Sequence, residues 1–188
     1  MALRTMREIG DEILNKRSKE VKKISRRDLY LIEDMLDTMY EREGAGLAAP
    51  QVGVLKRIVV LRGGLEELGN EETANEEIAN EEIENEEEIS EEADPIILIN
   101  PVILEEEGSQ RGEEGCLSVP GKWGVVTRPD KVTIKAYDIN MEEFELEGRG
   151  LLARAICHEI DHLDGKLYVD LVEGELRDVE DRGEENDK

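Results

Sequence analysis

The chain has 188 residues, with 48 Asp and Glu against 24 Lys and Arg, a formal net charge of −24. That length suits one domain, and so acidic a surface repels phosphate backbones, which argues against direct nucleic-acid binding. There is no run of 18 apolar residues to make a membrane span and no apolar centre in the opening MALRTMREIG to make a secretory signal, while two cysteines fit a reducing, cytoplasmic setting; a monomer is the default at this size.

In chain order, Arg26 to Glu43 is the first predicted helix, amphipathic, with Leu29, Ile32, Leu36 and Met39 as its core stripe. The small-residue run Gly44-Ala45-Gly46-Leu47-Ala48-Ala49-Pro50-Gln51 follows. Small side chains let a backbone pass close to a ligand or a packed helix, and Gln51 adds a neutral amide donor. Arg57-Ile58-Val59-Val60-Leu61 reads as a buried strand. Residues 65–93 form an acidic low-complexity insertion. Between Gly63 and Glu92 there are 14 Glu and no Lys or Arg, so 14 of the 24 net negative charges lie there. Asn recurs every five residues, at Asn70, Asn75, Asn80 and Asn85. That period turns Ile78 and Ile83 about 140° apart on a helix, so they share no core face. The segment is expected to be a solvated surface excursion.

Ile96 to Ile99 and Val102 to Leu104 read as strands around Asn100-Pro101. Glu114-Gly115-Cys116-Leu117-Ser118 reads as a turn opening an extended stretch. Lys131 to Tyr137 alternates like a half-buried strand, and Phe144 to Glu147 is a shorter one. A second helix is predicted from about Leu151 to Leu163, stopped by Asp164-Gly165. Residues 1–172 are expected to form one catalytic domain, and 173–188 an acidic, frayed tail.

Both histidines of the chain lie in His158-Glu159-Ile160-Asp161-His162. On a helix, positions i and i+4 share a face. Two imidazoles so spaced can grip one divalent ion, and the intervening Glu can reach its water. A catalytic ion of this kind wants a third protein ligand. No histidine follows His162, and Asp164, Asp170 and Glu173 read as surface charges. Cys157 points about 100° away around the helix. Cys116 is left as the third ligand. A zinc endopeptidase with a downstream carboxylate ligand, or a non-catalytic metal-binding protein, are the alternative readings.

The three segments around Gln51, Cys116 and His158, in this order, resemble the three signature motifs of the peptide deformylases. Gln51-Val52-Gly53-Val54, Asn100-Pro101, Arg128-Pro129 and Asp161-His162-Leu163-Asp164-Gly165 are also similar, and the resemblance runs from about residue 8 to 172 outside the insertion. It implies an α+β fold in which antiparallel β-sheets surround a C-terminal metal-binding HExxH helix, with an amphipathic N-terminal helix. The implied activity is removal of the N-formyl group from formyl-Met nascent polypeptides, with transient proximity to the ribosome. Cys116, His158 and His162 would bind one divalent ion, usually Fe²⁺, with Zn²⁺, Ni²⁺ or Co²⁺ able to occupy the site. Glu159 would be the general base and then the acid. Gln51 and the backbone N–H of Leu117 would stabilise the oxyanion. Gly44, Gly46 and Glu114 would line the substrate site, with Glu114 paired to Arg128 behind it. The chain departs from the family pattern at Cys157, where Gln is frequent, and at Lys122-Trp123-Gly124, where some members place an Arg near the substrate. Its tail is acidic where some members carry a basic docking helix.

Overall fold

A computed structural model describes residues 2–65 and 93–180. The Glu-rich repeat, expected to be a solvated excursion, lies outside the described residues. The architecture is α+β. Five antiparallel strands form one sheet in the order β1-β2-β3-β6-β7. These are β1 (Gly46–Ala48), β2 (Ile58–Leu61), β3 (Ile96–Glu107), β6 (Lys131–Tyr137) and β7 (Glu143–Arg149). A second sheet orders β4 (Gln110–Cys116), β5 (Val119–Arg128) and β8 (Arg177–Asp178) as β4-β5-β8. Among the described residues, the two long helices are α1 (Arg26–Glu41) and α2 (Gly150–Leu163).

The apolar run of β2 is explained by burial on both faces. Val59 and Leu61 pack with Leu98, Ile134, Leu152, Ile156 and Ile160 on the side of α2. Ile58 and Val60, pointing the other way, pack with Leu31, Ile32, Met35 and Met39 of α1. A strand sandwiched between two helices cannot alternate polar and apolar residues. α2 is thereby fixed between the large sheet and the site, with eleven of its residues buried, from Leu152 to Leu163.

On α1 the buried face is Asp28, Leu31, Ile32, Met35, Thr38 and Met39. The predicted stripe is thus half right. Ile32 and Met39 are core, Leu36 is half-buried, and Leu29 is 38% exposed. At 100° per residue, Leu29 and Leu36 stand about 100–120° from Met35 at the centre of the face, so Leu36 packs only at the rim of the cluster and Leu29 lies outside it. The face includes a charge because Asp28 closes the helix start. Its carboxylate accepts from the backbone N–H of Ser25 at 3.0 Å and from the Ser25 hydroxyl at 2.7 Å, and Lys56, just before β2, also donates to it.

The two strands predicted around Asn100-Pro101 are one strand, β3, with a register shift between Ile99 and Val102. Asn100 absorbs it with φ of 52°, and its side-chain amide exchanges two 2.8 Å hydrogen bonds with the backbone of Val21. The frayed-tail expectation needs correction as far as residue 178. The backbone N–H of Glu173 donates to Val125 O at 2.8 Å, and Arg177 and Asp178 add β8 to the edge of β5. The anchor is a buried aromatic, since the indole N–H of Trp123 donates to Asp178 O at 3.1 Å. Among the described residues, no helix is long and apolar enough to cross a membrane.

Burial pushes the Asp28 carboxyl up, but its bonds to Lys56 and Ser25 outweigh this and hold it below its ordinary value. A carboxyl depressed in the folded state stabilises the fold above its unfolded pKa, about 4, and that contribution is lost as the pH falls through the folded value. Asp28→Ala should therefore lower the unfolding free energy by about 1 kcal/mol at neutral pH. Urea unfolding repeated at decreasing pH should show the deficit shrinking below about pH 4.

Candidate metal centre and active site

The two imidazoles come from α2 and the sulfur from the end of β4. Ligand atoms of Cys116, His158 and His162 all lie within 4.8 Å of one another. Among the described residues, these three form the one such cluster of potential metal ligands. Cys116 Sγ is 3.2 Å from His162 Nε2. The β4–β5 hairpin breaks register at Gly115 and Cys116, so that Cys116 pairs with Val119 across a tight turn. The turn swings the sulfur towards α2, and the backbone N–H of Ser118 lies 3.4 Å from it.

The other sequence candidates for a third ligand are engaged elsewhere. Asp164 accepts from Arg57 at 2.7 Å, and Glu173 from Arg111 at 2.9 Å and Thr127 at 2.5 Å. Asp170 accepts from the backbone N–H of Leu167. Cys157 is buried in the apolar cluster between α2 and the sheet, and that burial pushes its thiol up to about 12.

The donor set suits a divalent ion of intermediate softness: one thiol and two imidazoles. His158 Nδ1 lies 2.9 Å from Glu114 Oε2, which leaves Nε2 to face the Cys116 sulfur and an ion. Two buried polar atoms of α2, Glu159 Oε2 and His162 Nδ1, have no protein hydrogen-bond partner. The residues therefore fit a metal with its water.

Glu114, expected to line the substrate site, does line the cavity over the site and commits both carboxylate oxygens to protein groups. Oε1 accepts from Arg128 Nε and from Arg154 Nη1, each at 2.9 Å. Oε2 takes Arg128 Nη2 at 3.0 Å along with the His158 ring. The pairing with Arg128 behind the site is thus observed. Arg128 also reaches Asp161, between the two ligand histidines of α2, at 2.5 Å. Burial alone would push the Glu114 carboxyl up, but the bonds from His158 and Arg128 bring it down to about 2. The same bond, with one to Cys116, raises the His158 imidazole against its burial, whereas burial and the neighbouring His158 lower His162.

Arg154 was not singled out from the sequence. It stands one turn before His158 on α2 and is almost fully buried. Besides Glu114, it donates to Val126 O at 3.0 Å and Gln110 O at 3.2 Å. The available signal was an arginine inside the apolar first half of the helix, at i−4 from His158.

A cavity of about 820 Å³ opens over this group, lined among others by Gly44, Gly46, Gln51, Cys116, Leu117 and Glu159. Gln51 lies in a short 3-10 turn after β1. Its Oε1 accepts from the backbone N–H of Ala48 at 2.7 Å, which turns Nε2 towards Cys116 Sγ at 3.5 Å and Ser118 Oγ at 3.3 Å. Both glycines stand at close approaches, tightest at Gly46, where Glu159 and Leu61 crowd from two sides. A Cβ on Gly46 would sit 2.7 Å from Glu159 Oε1, and one on Gly44 would sit 2.9 Å from Leu117 Cδ1. Burial of Glu159 pushes its carboxyl up to about 7, although the His158 charge pulls the other way.

Two antiparallel sheets folded about a helix, whose HExxH face meets a cysteine from a hairpin, define a metallohydrolase site. The family model described as polypeptide deformylase matches residues 3–177. A peptide deformylase of Lachnoclostridium phytofermentans is 53% identical over 188 residues, all of both chains. The crystal structure of a peptide deformylase from Legionella pneumophila is 39% identical, covers 92% of this chain and 87% of that one, and superposes with a TM-score of 0.74. A peptide deformylase from Synechococcus elongatus, solved in complex with actinonin, is 36% identical, covers 90% and 79%, and gives a TM-score of 0.73. The chain belongs to the polypeptide deformylase family, metal-dependent hydrolases that remove the N-formyl group from nascent peptides.

Glu114 holds the His158 ring in one tautomer, so its loss should be felt first at the metal. Glu114→Gln should weaken metal affinity roughly 10- to 100-fold, the cost typical of removing a partner that orients a ligand histidine. Competition with a chromophoric chelator measures it directly.

Proposed function

We propose that Cys116, His158 and His162 hold one divalent ion, Fe²⁺ in the cell, and that the residues around it hydrolyse the formyl amide of formyl-Met polypeptides. The same donors admit Zn²⁺, Ni²⁺ or Co²⁺. The observation that carries this reading is the convergence of one sulfur and two imidazoles beside a buried, unpartnered Glu159 oxygen at the floor of a cavity. When bound, the ion supplies a Lewis acid for the formyl carbonyl and lowers the pKa of a coordinated water towards neutrality.

The chain's own groups do the rest. Glu159, with its carboxyl near 7, is matched to taking a proton from the attacking water at neutral pH and returning it to the leaving amine. The products are formate and a free N-terminus. Gln51 Nε2, aimed by the bond that Ala48 makes to Oε1, donates to the oxygen of the tetrahedral carbon. The backbone N–H of Leu117 is assigned as the second donor; removing one such donor typically costs about 10²- to 10³-fold in rate. Gly44 and Gly46 let the substrate backbone lie against β1. Glu114 acts through His158 rather than on substrate, and Arg154 and Arg128 hold Glu114 in place.

We place the enzyme in the cytoplasm as a monomer, meeting nascent chains transiently near the ribosome. Both cysteines are free, as a reducing compartment requires. The net charge of −24 argues against a stable hold on ribosomal RNA. Residues 1–172 make up the catalytic domain on this reading, with 65–93 as an insertion and 173–188 as a tail whose first part is tied to β5.

Anaerobically purified protein should release formate from a formyl-Met tripeptide. Glu159→Ala should keep its metal and lose at least about 100-fold in kcat, and Cys116→Ser should lose metal. Turnover close to wild type in the first variant, or unchanged metal content in the second, would overturn the assigned roles.

A further inference from the structure

The C-terminal strand reaches the cavity. Arg177 and Asp178 pair with Trp123 and Lys122 on the open edge of β5. Four contacts fasten this edge. The Trp123 indole N–H donates to Asp178 O at 3.1 Å, and the Lys122 ammonium meets the Asp178 carboxylate at 2.6 Å. The Arg177 guanidinium lies 5.1 Å from the Trp123 ring centroid, and Tyr168 OH donates to Lys122 O at 3.1 Å. The next residue, Val179, thereby joins Pro120, Gly121 and Lys122 in lining the same cavity as Gln51, Cys116 and Glu159. Val179 is still 46% exposed, so much of its side chain is left to contact a ligand.

We propose that Val179 is a specificity-determining residue, giving an apolar contact to the side chain that follows formyl-Met in the substrate. This rests on the deformylase reading above. The formyl carbon must sit beside Cys116, His158 and Glu159. A cavity of about 820 Å³ exceeds what one residue fills. An extended peptide advances about 3.3 Å per residue, so its next side chains run out along the lining beyond the ligand group. The lining also holds the charged Arg42, Glu43 and Glu113; next to Val179, on β5, the Lys122 ammonium is already matched by Asp178, and Pro120 and Val179 offer carbon. Such a surface favours an apolar side chain over a polar one by the water it removes. Trp123 acts at one remove, by holding the strand that presents Val179.

The test uses the full-length, metal-loaded enzyme and formate release from three substrates: formyl-Met amide, and tripeptides with Leu or Ser after formyl-Met. Wild type should favour the Leu tripeptide over the Ser tripeptide. In Val179→Asp that preference should fall about fivefold, through KM for the Leu tripeptide rather than through kcat, with metal content unaltered. Val179→Ile should restore the preference, and Trp123→Phe, which lacks the indole donor, should shift KM in the same direction by less. An unchanged Leu-to-Ser ratio in Val179→Asp, or an equal loss on all three substrates, overturns the inference and leaves the deformylase reading standing. Absence of formate from every substrate with wild type overturns that reading, and this inference with it.

Discussion

The site depends on one carboxylate. Glu114 receives two bonds from Arg128, one from Arg154 and one from the His158 ring, all within 3.0 Å. These donors come from two different elements, β5 and α2, while Glu114 itself sits on β4 two residues before Cys116. One side chain thus joins the strand that carries the sulfur to the helix that carries the imidazoles. Arg128 extends the link to Asp161, beside His162. A buried charge left without partners costs several kcal/mol, so this constellation is tolerated only when every member is present. That all-or-none character makes it a positioning device, since any drift of α2 against β4 breaks several charge-assisted bonds at once.

The large sheet supplies the rigidity against which this operates. β2 is buried on both faces, between α1 and α2, and β1 pairs along it with Gly46 opposite Leu61. The backbone of β1 is therefore held close to α2, and Gly46 lies where a methyl group would strike Glu159 or Leu61. The packing of the core thus brings the backbone of β1 and the Glu159 side chain to contact distance.

Much of this was legible in the sequence, and what was not has identifiable causes. The HExxH helix, α1, β2 and β6 announced themselves through apolar periodicity or a buried run. β4 did not, because Gln110 to Cys116 contains no large apolar residue. It is stabilised by pairing with β5 and by buried ion pairs, neither of which leaves a hydrophobic pattern. β8 was hidden for the same reason, in a tail whose composition reads as solvated. Trp123 was visible as an aromatic near the cysteine motif, but its partner, a backbone carbonyl 55 residues on, has no signature in the chain. Arg154 hides among the small and apolar residues of α2. The residue types of the site were readable because chemistry restricts them; the groups that position the site were not, because several side chains can fill such roles.

Two neighbouring glutamates show how environment assigns work to identical side chains. Glu114 and Glu159 are both buried at the same site, and burial pushes each carboxyl upward. Around Glu114, His158 and Arg128 overturn that push, and the carboxyl falls to about 2. It stays ionised at any physiological pH and can only accept, which fixes the tautomer of His158. Around Glu159 the push prevails and the carboxyl rises to about 7. It can hold or release a proton with little free-energy change at neutral pH, which suits the acid–base role proposed for it. Separated pKa values in one pocket mark separated roles. Here the separation arises from where His158 and Arg128 lie, since both bond the Glu114 carboxylate and neither bonds that of Glu159.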